Sequence, residues 1–402
     1  MKNILIYISI LIVSFCFMFF FQEYYTAAAF IVLTIMPFVL VGINIFAARK
    51  ISVRMKFASI NCLPGDKVKI SVMIENKTFF PVQKAMILLR FIDSVGAVSV
   101  RRIYTNVPAR QDKEVELQFT SETALGGYVT IMKVKCYDIL GFFGISARIM
   151  NNMKTTFFGF FPNAFECNVI PKANNIAGIE ETEIYSQVRP GHDRSEIFNI
   201  REYVPGDMIK DIHWKLSSKR DEILVKEFSL PLETGLKIVL DTVVDEQNDD
   251  RYRLLSKYYE VARSIMETLL GMSFTFSVIV YNEVQGAFDE YEVANRENAH
   301  AIINLLLRQL PFRNNSVRLP YKDKSYIADK LSGDILYISC GADEKFLEYI
   351  ANLPSIEDIH MIYVGKRDRH AEAAYKCAAG LNCDFVSIGI DESVADMKCL
   401  EL

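Results

Sequence analysis

Lys237-Ile238-Val239-Leu240-Asp241 begins a segment in which two kinds of pattern take turns. The residues before the aspartate have the composition of a buried strand. Arg251 to Leu270 follows with helical period, and Phe274-Thr275-Phe276-Ser277-Val278-Ile279-Val280-Tyr281 is strand-like again. Asn298 to Leu310 reads as helix, Ile335-Leu336-Tyr337-Ile338-Ser339 as strand, Glu344 to Ala351 as helix and His360-Met361-Ile362-Tyr363-Val364 as strand. Ala371 to Ala379 and Phe385-Val386-Ser387-Ile388 close the series as helix and strand. Such alternation predicts a mostly parallel sheet covered on both faces, with ligands bound beyond the carboxyl ends of its strands. Asp241 stands at one of those ends.

Upstream lies a polar motif. Val188-Arg189-Pro190-Gly191-His192 is followed by Ile200-Arg201-Glu202-Tyr203-Val204-Pro205-Gly206-Asp207, by Ile212-His213-Trp214-Lys215-Leu216-Ser217-Ser218-Lys219 and by Ile223-Leu224-Val225-Lys226-Glu227-Phe228. The motif holds the single tryptophan of the chain. Pro205-Gly206-Asp207 is a tight-turn signature, and Ile223 to Phe228 is a β-rich run suited to a sheet edge. Its charged residues admit two readings. In one, Arg201, Glu202, Asp207, His213 and Lys215 line a pocket in which His213 acts as acid or base. In the other they form a satisfied network, with Arg201 and Lys215 paired to Glu202 or Asp207 and Trp214 supplying packing area. The second is preferred, since neither a nucleophile nor a second titrating partner stands at a recognisable spacing. Lys210, Lys215, Lys219 and Arg220 are offset by Asp211, Asp221 and Glu222, so no basic track for nucleic acid runs through the motif.

From Ile51 to Lys172 the period is two. Lys67-Val68-Lys69-Ile70-Ser71-Val72-Met73-Ile74 and Glu114-Val115-Glu116-Leu117-Gln118-Phe119 put apolar side chains on one strand face, with turn punctuation at Pro64-Gly65-Asp66 and Gly126-Gly127. Short strands at this spacing predict a small antiparallel sandwich of immunoglobulin-like type. The segment from Gly126-Gly127-Tyr128 through Tyr137-Asp138-Ile139-Leu140-Gly141-Phe142-Phe143 reads either as a partner site or, by preference, as a bulge or corner with buried aromatics.

Ile4 to Phe21 is uncharged, as is Ala27 to Ala48 apart from the interruptions of Pro37, Gly42 and Asn44 to its apolar character, and each run is long enough to cross a bilayer as a helix. Phe19, Phe20, Phe21, Tyr24 and Tyr25 stand where an outer aromatic belt belongs. Lys2 precedes the first run, and Arg49, Lys50, Arg54 and Lys56 follow the second, so the positive-inside rule puts both ends in the cytoplasm. Ala27-Ala28-Ala29 offers small residues for signal cleavage, but a second span follows at once, which favours a retained hairpin.

With 402 residues, 51% of them apolar and 23% charged, the chain can bury a sizeable core, and disorder is excluded as its dominant state. Its 45 basic and 49 acidic side chains leave a net charge of -4, so no basic field draws a nucleic-acid backbone. The eight cysteines contain no C-x-x-C pair and read as reduced, mostly buried thiols. No G-x-S-x-G elbow, P-loop, H-E-x-x-H or strand-borne G-x-G-x-x-G is present, and His192, His213, His300, His360 and His370 lack metal-ligand spacing.

Arg201-Glu202-Tyr203 with Gly206-Asp207, then Ile212-His213-Trp214-Lys215, then Val225-Lys226-Glu227-Phe228 resemble the hallmark of the domain of unknown function 58 family. That hallmark is an R-E-Y-x-x-G-D turn, I-H-W-K, a small or polar stretch and a V-(R/K)-E-F strand. Tyr137 to Phe143 resembles the family's D-P-L-G-L-F segment with Ile139 in place of proline, and Phe161-Pro162 its V-Y-P exit. With the hairpin, the resemblance covers nearly the whole chain. It divides the chain into a transmembrane hairpin at 1–50 (spans 4–21 and 27–48), a β-sandwich at 51–172, the motif segment at 173–235 and an α/β domain at 236–402 that is similar to von Willebrand factor A domains.

The metal-binding D-x-S-x-S loop of that domain type corresponds here to Asp241-Thr242-Val243-Val244-Asp245, without either serine, and its T-D-G aspartate to Cys340 in Ser339-Cys340-Gly341. Magnesium requires several hard oxygen ligands, so Asp241 marks a degenerate position and neither an intact metal site nor a cofactor is expected. Asp241, Asp245, Asp249 and Asp250 form another acidic cation site or, by preference, a solvated loop. The resemblance also implies a partner. Members of the family are commonly encoded beside MoxR-type AAA+ ATPases and are thought to assist them in assembling or maturing envelope complexes. The expectation is a non-enzymatic scaffold anchored in a bacterial inner membrane, with cytoplasmic domains that bind such an ATPase. The alternative is an uncharacterised enzyme or ligand receptor using Arg201, Glu202, Asp207, His213 and Lys215.

Overall fold

The computed structural model describes residues 2–21, 23–56, 62–150, 154–170, 185–191, 193–231, 235–241, 250–282, 287–309, 330–341, 344–366, 369–381 and 383–402. Contacts divide the chain into two units, Met1–Phe161 and Pro162–Leu402. The division thus falls at Phe161 rather than at Lys172. The segment after it is tied to the second unit: the Phe165 amide donates to Ser264 Oγ at 3.0 Å, the Cys167 amide to Thr268 Oγ1 at 3.1 Å, and Val169–Ile170 pairs in parallel with Leu400–Glu401.

In the first unit, α1 (Lys2–Phe21) and α2 (Tyr24–Lys50) are long and apolar enough to cross a membrane, and α2 carries Pro37 without a break. Most of their large side chains are exposed and others, Tyr7, Phe30 and Leu33 among them, half-buried; burial begins in α2 at Asn44, followed by Ala47 and Ala48. The hairpin is therefore not a separate segment, because Ala47 and Ala48 join the core of the strands that follow. The strands are β1 (Ile51–Met55), β2 (Val68–Asn76), β3 (Val82–Asp93), β4 (Val98–Val107), β5 (Asp112–Phe119), β6 (Gly126–Tyr137), β7 (Gly144–Ser146), β8 (Arg148–Ile149) and β9 (Thr155–Gly159). They make two sheets, β5-β2-β1-β8 and β4-β3-β6-β7, with β9 added to β6. All pairs are antiparallel except β1 with β8.

Alternation does what it promised in β2, where Val68, Ile70, Val72 and Ile74 are wholly buried between the sheets and Lys69 faces out. Phe119 meets Phe158 and Phe160 edge-on in the same core. The turn after β6 is a corner rather than a bulge: the Phe143 amide donates to Asp138 Oδ1 at 2.7 Å, and Gly141 takes a φ of +71°. Its apolar side chains depart from the expectation, since Ile139 and Phe143 are 62% and 55% exposed.

The second unit runs β10 (Val169–Ile170), β11 (Tyr185–Gly191), β12 (Asp193–Glu202), α3 (Trp214–Arg220), β13 (Leu224–Pro231), β14 (Lys237–Asp241), α4 (Arg251–Gly271), β15 (Phe276–Asn282), β16 (Ala287–Val293) and α5 (Arg296–Arg308). It continues through β17 (Gly333–Ser339), α6 (Glu344–Ala351), β18 (Ile356–Val364), α7 (Arg369–Gly380), β19 (Asp384–Ile388) and β20 (Leu400–Glu401). The main sheet has the order β16-β15-β14-β17-β18-β19, parallel throughout except for β16. That edge strand escaped the sequence pattern because three acids interrupt its apolar residues. On one face Val239, Tyr337, Met361 and Tyr363 pack with Phe346, Leu347 and Ile350 of α6 and Ala374 and Ala378 of α7. The alternate residues Ile238, Leu240, Leu336, Ile338 and Ile362 are equally buried, on the face toward α4. The antiparallel ribbon β11-β13-β12 carries the polar motif. All eight cysteines are free thiols; Cys136, Cys167, Cys340 and Cys383 are buried, while Cys16 and Cys399 are exposed.

Candidate functional site

The antiparallel register of β12 and β13 sets Arg201 opposite Val225, so Glu227, two residues along β13, shares the face of Arg201. The Arg201 Nε–H donates to Glu227 Oε1 at 2.8 Å. Its two terminal nitrogens grip Asp207 in a fork, Nη1 to Oδ2 at 2.7 Å and Nη2 to Oδ1 at 2.8 Å, and Nη1 also donates to the Glu202 carbonyl at 3.0 Å. This is the bidentate geometry that guanidinium supplies and ammonium does not. Asp207 Oδ2 further accepts the Val204 amide at 2.8 Å, and the Asp207 amide donates back to the Val204 carbonyl at 3.0 Å, which closes the Val204-Pro205-Gly206-Asp207 turn. Gly206 sits at a φ of +118°, where any side chain is strained, so its hydrogen is dictated by the backbone and not by crowding. The Arg201 guanidinium and then the Val204 amide hold the Asp207 carboxyl down to about 2. Asp207 first and Glu227 second push the guanidinium in the opposite direction.

His213 has a different duty from the one a catalytic reading gives it. It caps the N-terminus of α3, its Nδ1 accepting the Leu216 amide at 3.2 Å. Its own amide donates to the Leu224 carbonyl at 2.8 Å, which ties α3 to β13. Ser217 completes the junction, donating to the His213 carbonyl at 3.1 Å and accepting the Leu224 amide at 3.0 Å.

The expected cluster is thus divided. Arg201 pairs with Asp207 and Glu227, whereas Glu202 and Lys215 are exposed and contribute no side chain to the clamp. Of the two partners expected for Arg201, Asp207 is the one it grips, because strand alternation sends Glu202 to the opposite face. Trp214 does not pack inward either, being 63% exposed. Tyr203, Val204, Met208, Ile209 and Ile223 are exposed with it, so the clamp holds out a connection whose outer surface is apolar. Ser217 and the pairing role of Glu227 escaped the sequence reading; the β-rich run ending Val225-Lys226-Glu227-Phe228 was the available signal for the second.

At the end of β14 Asp241 lies beside Ser339 of β17 in register. Tyr337 Oη donates to Asp241 Oδ2 at 2.6 Å and Ser339 Oγ to the same oxygen at 3.2 Å. Burial first, with Cys340 and Asp241 adding to it, pushes the nearby Tyr258 hydroxyl well above its ordinary range. Among the described residues no group of three or more His, Cys, Asp and Glu is placed to hold a metal ion. Asp245 and Asp249 lie outside the described residues, and Asp250 is paired with Lys366, which lowers its pKa.

No family model matches the chain, and no curated protein matches it. Among solved structures, the CARDB domain of the PF1109 protein from Pyrococcus furiosus, in complex with di-metal ions, is 10% identical, with 27% of this chain and 84% of that one covered and a TM-score of 0.19. A non-cellulosomal cohesin from Archaeoglobus fulgidus is 15% identical over 27% of this chain and 91% of its own, with a TM-score of 0.19. A type I cohesin–dockerin complex from Clostridium thermocellum is 8% identical over 27% and 99%, with a TM-score of 0.20. Scores of this size assign the chain neither a fold nor a function.

Proposed function

We propose that this chain is a membrane-anchored, non-enzymatic interaction protein of the domain of unknown function 58 kind, with an immunoglobulin-like sandwich and a von Willebrand factor A-like α/β unit. In this reading the hairpin crosses a bacterial inner membrane. The cations at Lys2, Arg49, Lys50, Arg54 and Lys56 keep both its ends, and the domains after it, in the cytoplasm. The partner is a MoxR-type AAA+ ATPase, and the complex serves assembly or maturation of envelope components.

One observation carries the interaction role. The Arg201–Asp207–Glu227 clamp spends its charge internally while Val204, Met208, Ile209 and Trp214 stand in water on the connection it braces. A charged centre with no free donor pair is poorly suited to acid–base work, whereas a rigid turn presenting a tryptophan and aliphatics suits a protein contact. The test is co-purification of the full chain from membranes in mild detergent through a C-terminal tag, with partners identified by mass spectrometry. An AAA+ ATPase is expected with the wild type and is expected to fall at least tenfold with a folded Ile209→Asp, Trp214→Ala variant. Recovery of no such ATPase, or equal recovery with the variant, overturns the assignment.

A further inference from the structure

The hairpin and the sandwich of the first unit meet at defined levels. At about 1.5 Å per residue the 27 residues of α2 run to about 40 Å, roughly 10 Å more than a hydrocarbon core of about 30 Å. The excess is the last two turns of α2, where burial begins at Asn44. Asn44 Nδ2 donates to the Cys136 carbonyl at 3.0 Å, and near the start of α1 Asn3 Nδ2 donates to the Leu140 carbonyl at 3.0 Å. Two sandwich turns flank the hairpin at this level. Phe142 lies against Tyr7 of α1 with ring centroids 5.3 Å apart, and Phe80 against Phe46 of α2 at 6.4 Å.

Both turns are braced from within. Asp138 holds the Phe143 amide, as described above. Asn76, buried to 2% exposure, donates to the carbonyls of Phe80 at 3.0 Å and Pro108 at 2.8 Å and accepts the Thr78 amide at 3.0 Å. These rigid turns nevertheless hold large apolar groups outward: Phe79 is 68% exposed, and Ile139 and Phe143 are exposed beyond the helix-facing Phe142. Cations accompany the rings. The Arg110 guanidinium stands 3.6 Å from the Phe79 centroid, and Lys50 Nζ stands 4.5 Å from that of Phe46.

We infer that these two turns form a lipid-interface collar. Phe79, Phe80, Ile139 and Phe143 enter the boundary between acyl chains and headgroups on the sandwich side of the bilayer, and Arg49, Lys50 and Arg110 meet the phosphates. The occupant follows from continuity: a bilayer that surrounds α1 at Tyr7 also reaches the residues packed against Tyr7. Rings at the boundary with cations toward the phosphates match the chemistry of that layer. The inference rests on the hairpin crossing a membrane, and not on the identity of any partner.

The full chain carrying Trp214→Phe provides a silent background for single-tryptophan variants in phosphatidylcholine–phosphatidylglycerol vesicles whose acyl chains are brominated. Phe38→Trp reports on the span itself. Leu63→Trp reports on the far end of β2, about 26 Å of strand from Asn76. Phe79→Trp and Phe143→Trp, both at exposed aromatic positions, are expected to lose at least half as much fluorescence to bromolipid as Phe38→Trp, and Leu63→Trp to lose almost none. Quenching at positions 79 and 143 no greater than at 63, with strong quenching at 38, overturns the collar alone. No quenching at 38 overturns the membrane-crossing reading and the collar with it.

Discussion

β2 of the first unit and β17 of the second are both interior strands, yet they bury side chains by different rules. In β2 every second residue is fully buried and the others reach the surface, whereas β17 is buried along all seven residues. The cause is what covers them. A sandwich strand has one partner sheet; a strand of the parallel sheet has helices on both faces. A polar group therefore means different things in the two units. Lys69 in β2 is simply solvated, but Tyr337 and Ser339 in β17 must find partners inside, and they find Asp241.

Truncation along the two strands breaks this comparison most directly. Leu336→Ala and Tyr337→Ala, neighbours on opposite faces of β17, are each expected to cost about 3–5 kcal/mol. In β2, Ile70→Ala is expected to cost about 2–5 kcal/mol and Lys69→Ala to stay within about 0.5 kcal/mol. Denaturant unfolding of the full chain in detergent measures all four, and a β17 pair as unequal as the β2 pair would refute two-faced burial.

A smaller effect is expected at two glycines with positive φ. Gly65, in the turn before β2, has open space where a Cβ would stand, so alanine there meets only backbone strain of about 1–2 kcal/mol. A Cβ on Gly333, at the head of β17, meets the Gly235 carbonyl oxygen at 2.6 Å and its nitrogen at 2.7 Å. Gly333→Ala is expected to lower the thermal midpoint more than Gly65→Ala; equal shifts would mean that the neighbouring backbone yields freely.

The smallest effect is a local one, in the clamp. Asp207 has its carboxyl pKa at about 2 in the folded chain, against about 3.9 for a free aspartate. A depressed carboxyl stabilises above the unfolded value, and that contribution disappears as pH falls through the folded one. Fluorescence of Trp214, the sole tryptophan, is expected to be flat from neutrality to about pH 4 and to change below it. Arg201→Lys, which cannot form the fork, is expected to move that change upward; an unmoved transition would show that the fork is not its cause.

Much of the second unit was legible because its helices are amphipathic and its strands are continuous apolar runs: Glu344 to Ala351 was delimited to the residue. β16 was not legible, because an antiparallel edge strand exposed on one side can carry three acids among its apolar residues. In the motif, the turn at Pro205-Gly206-Asp207 was legible from its residue types and Asp207 was one of the two partners expected for Arg201, whereas its second partner, Glu227, was not legible.

The sequence by itself determined the two apolar helices, the period-two region, the helix–strand alternation and the turn, because each depends on residues close together in the chain. Tertiary structure alone decided the rest. The register of β12 against β13 set Glu227 rather than Glu202 beside Arg201, and the fold brought the 138–143 turn against α1, where Asn3 Nδ2 donates to the Leu140 carbonyl. Each of these joins residues distant in sequence, and sequence spacing carries no information about which of two nearby carboxylates faces a given guanidinium.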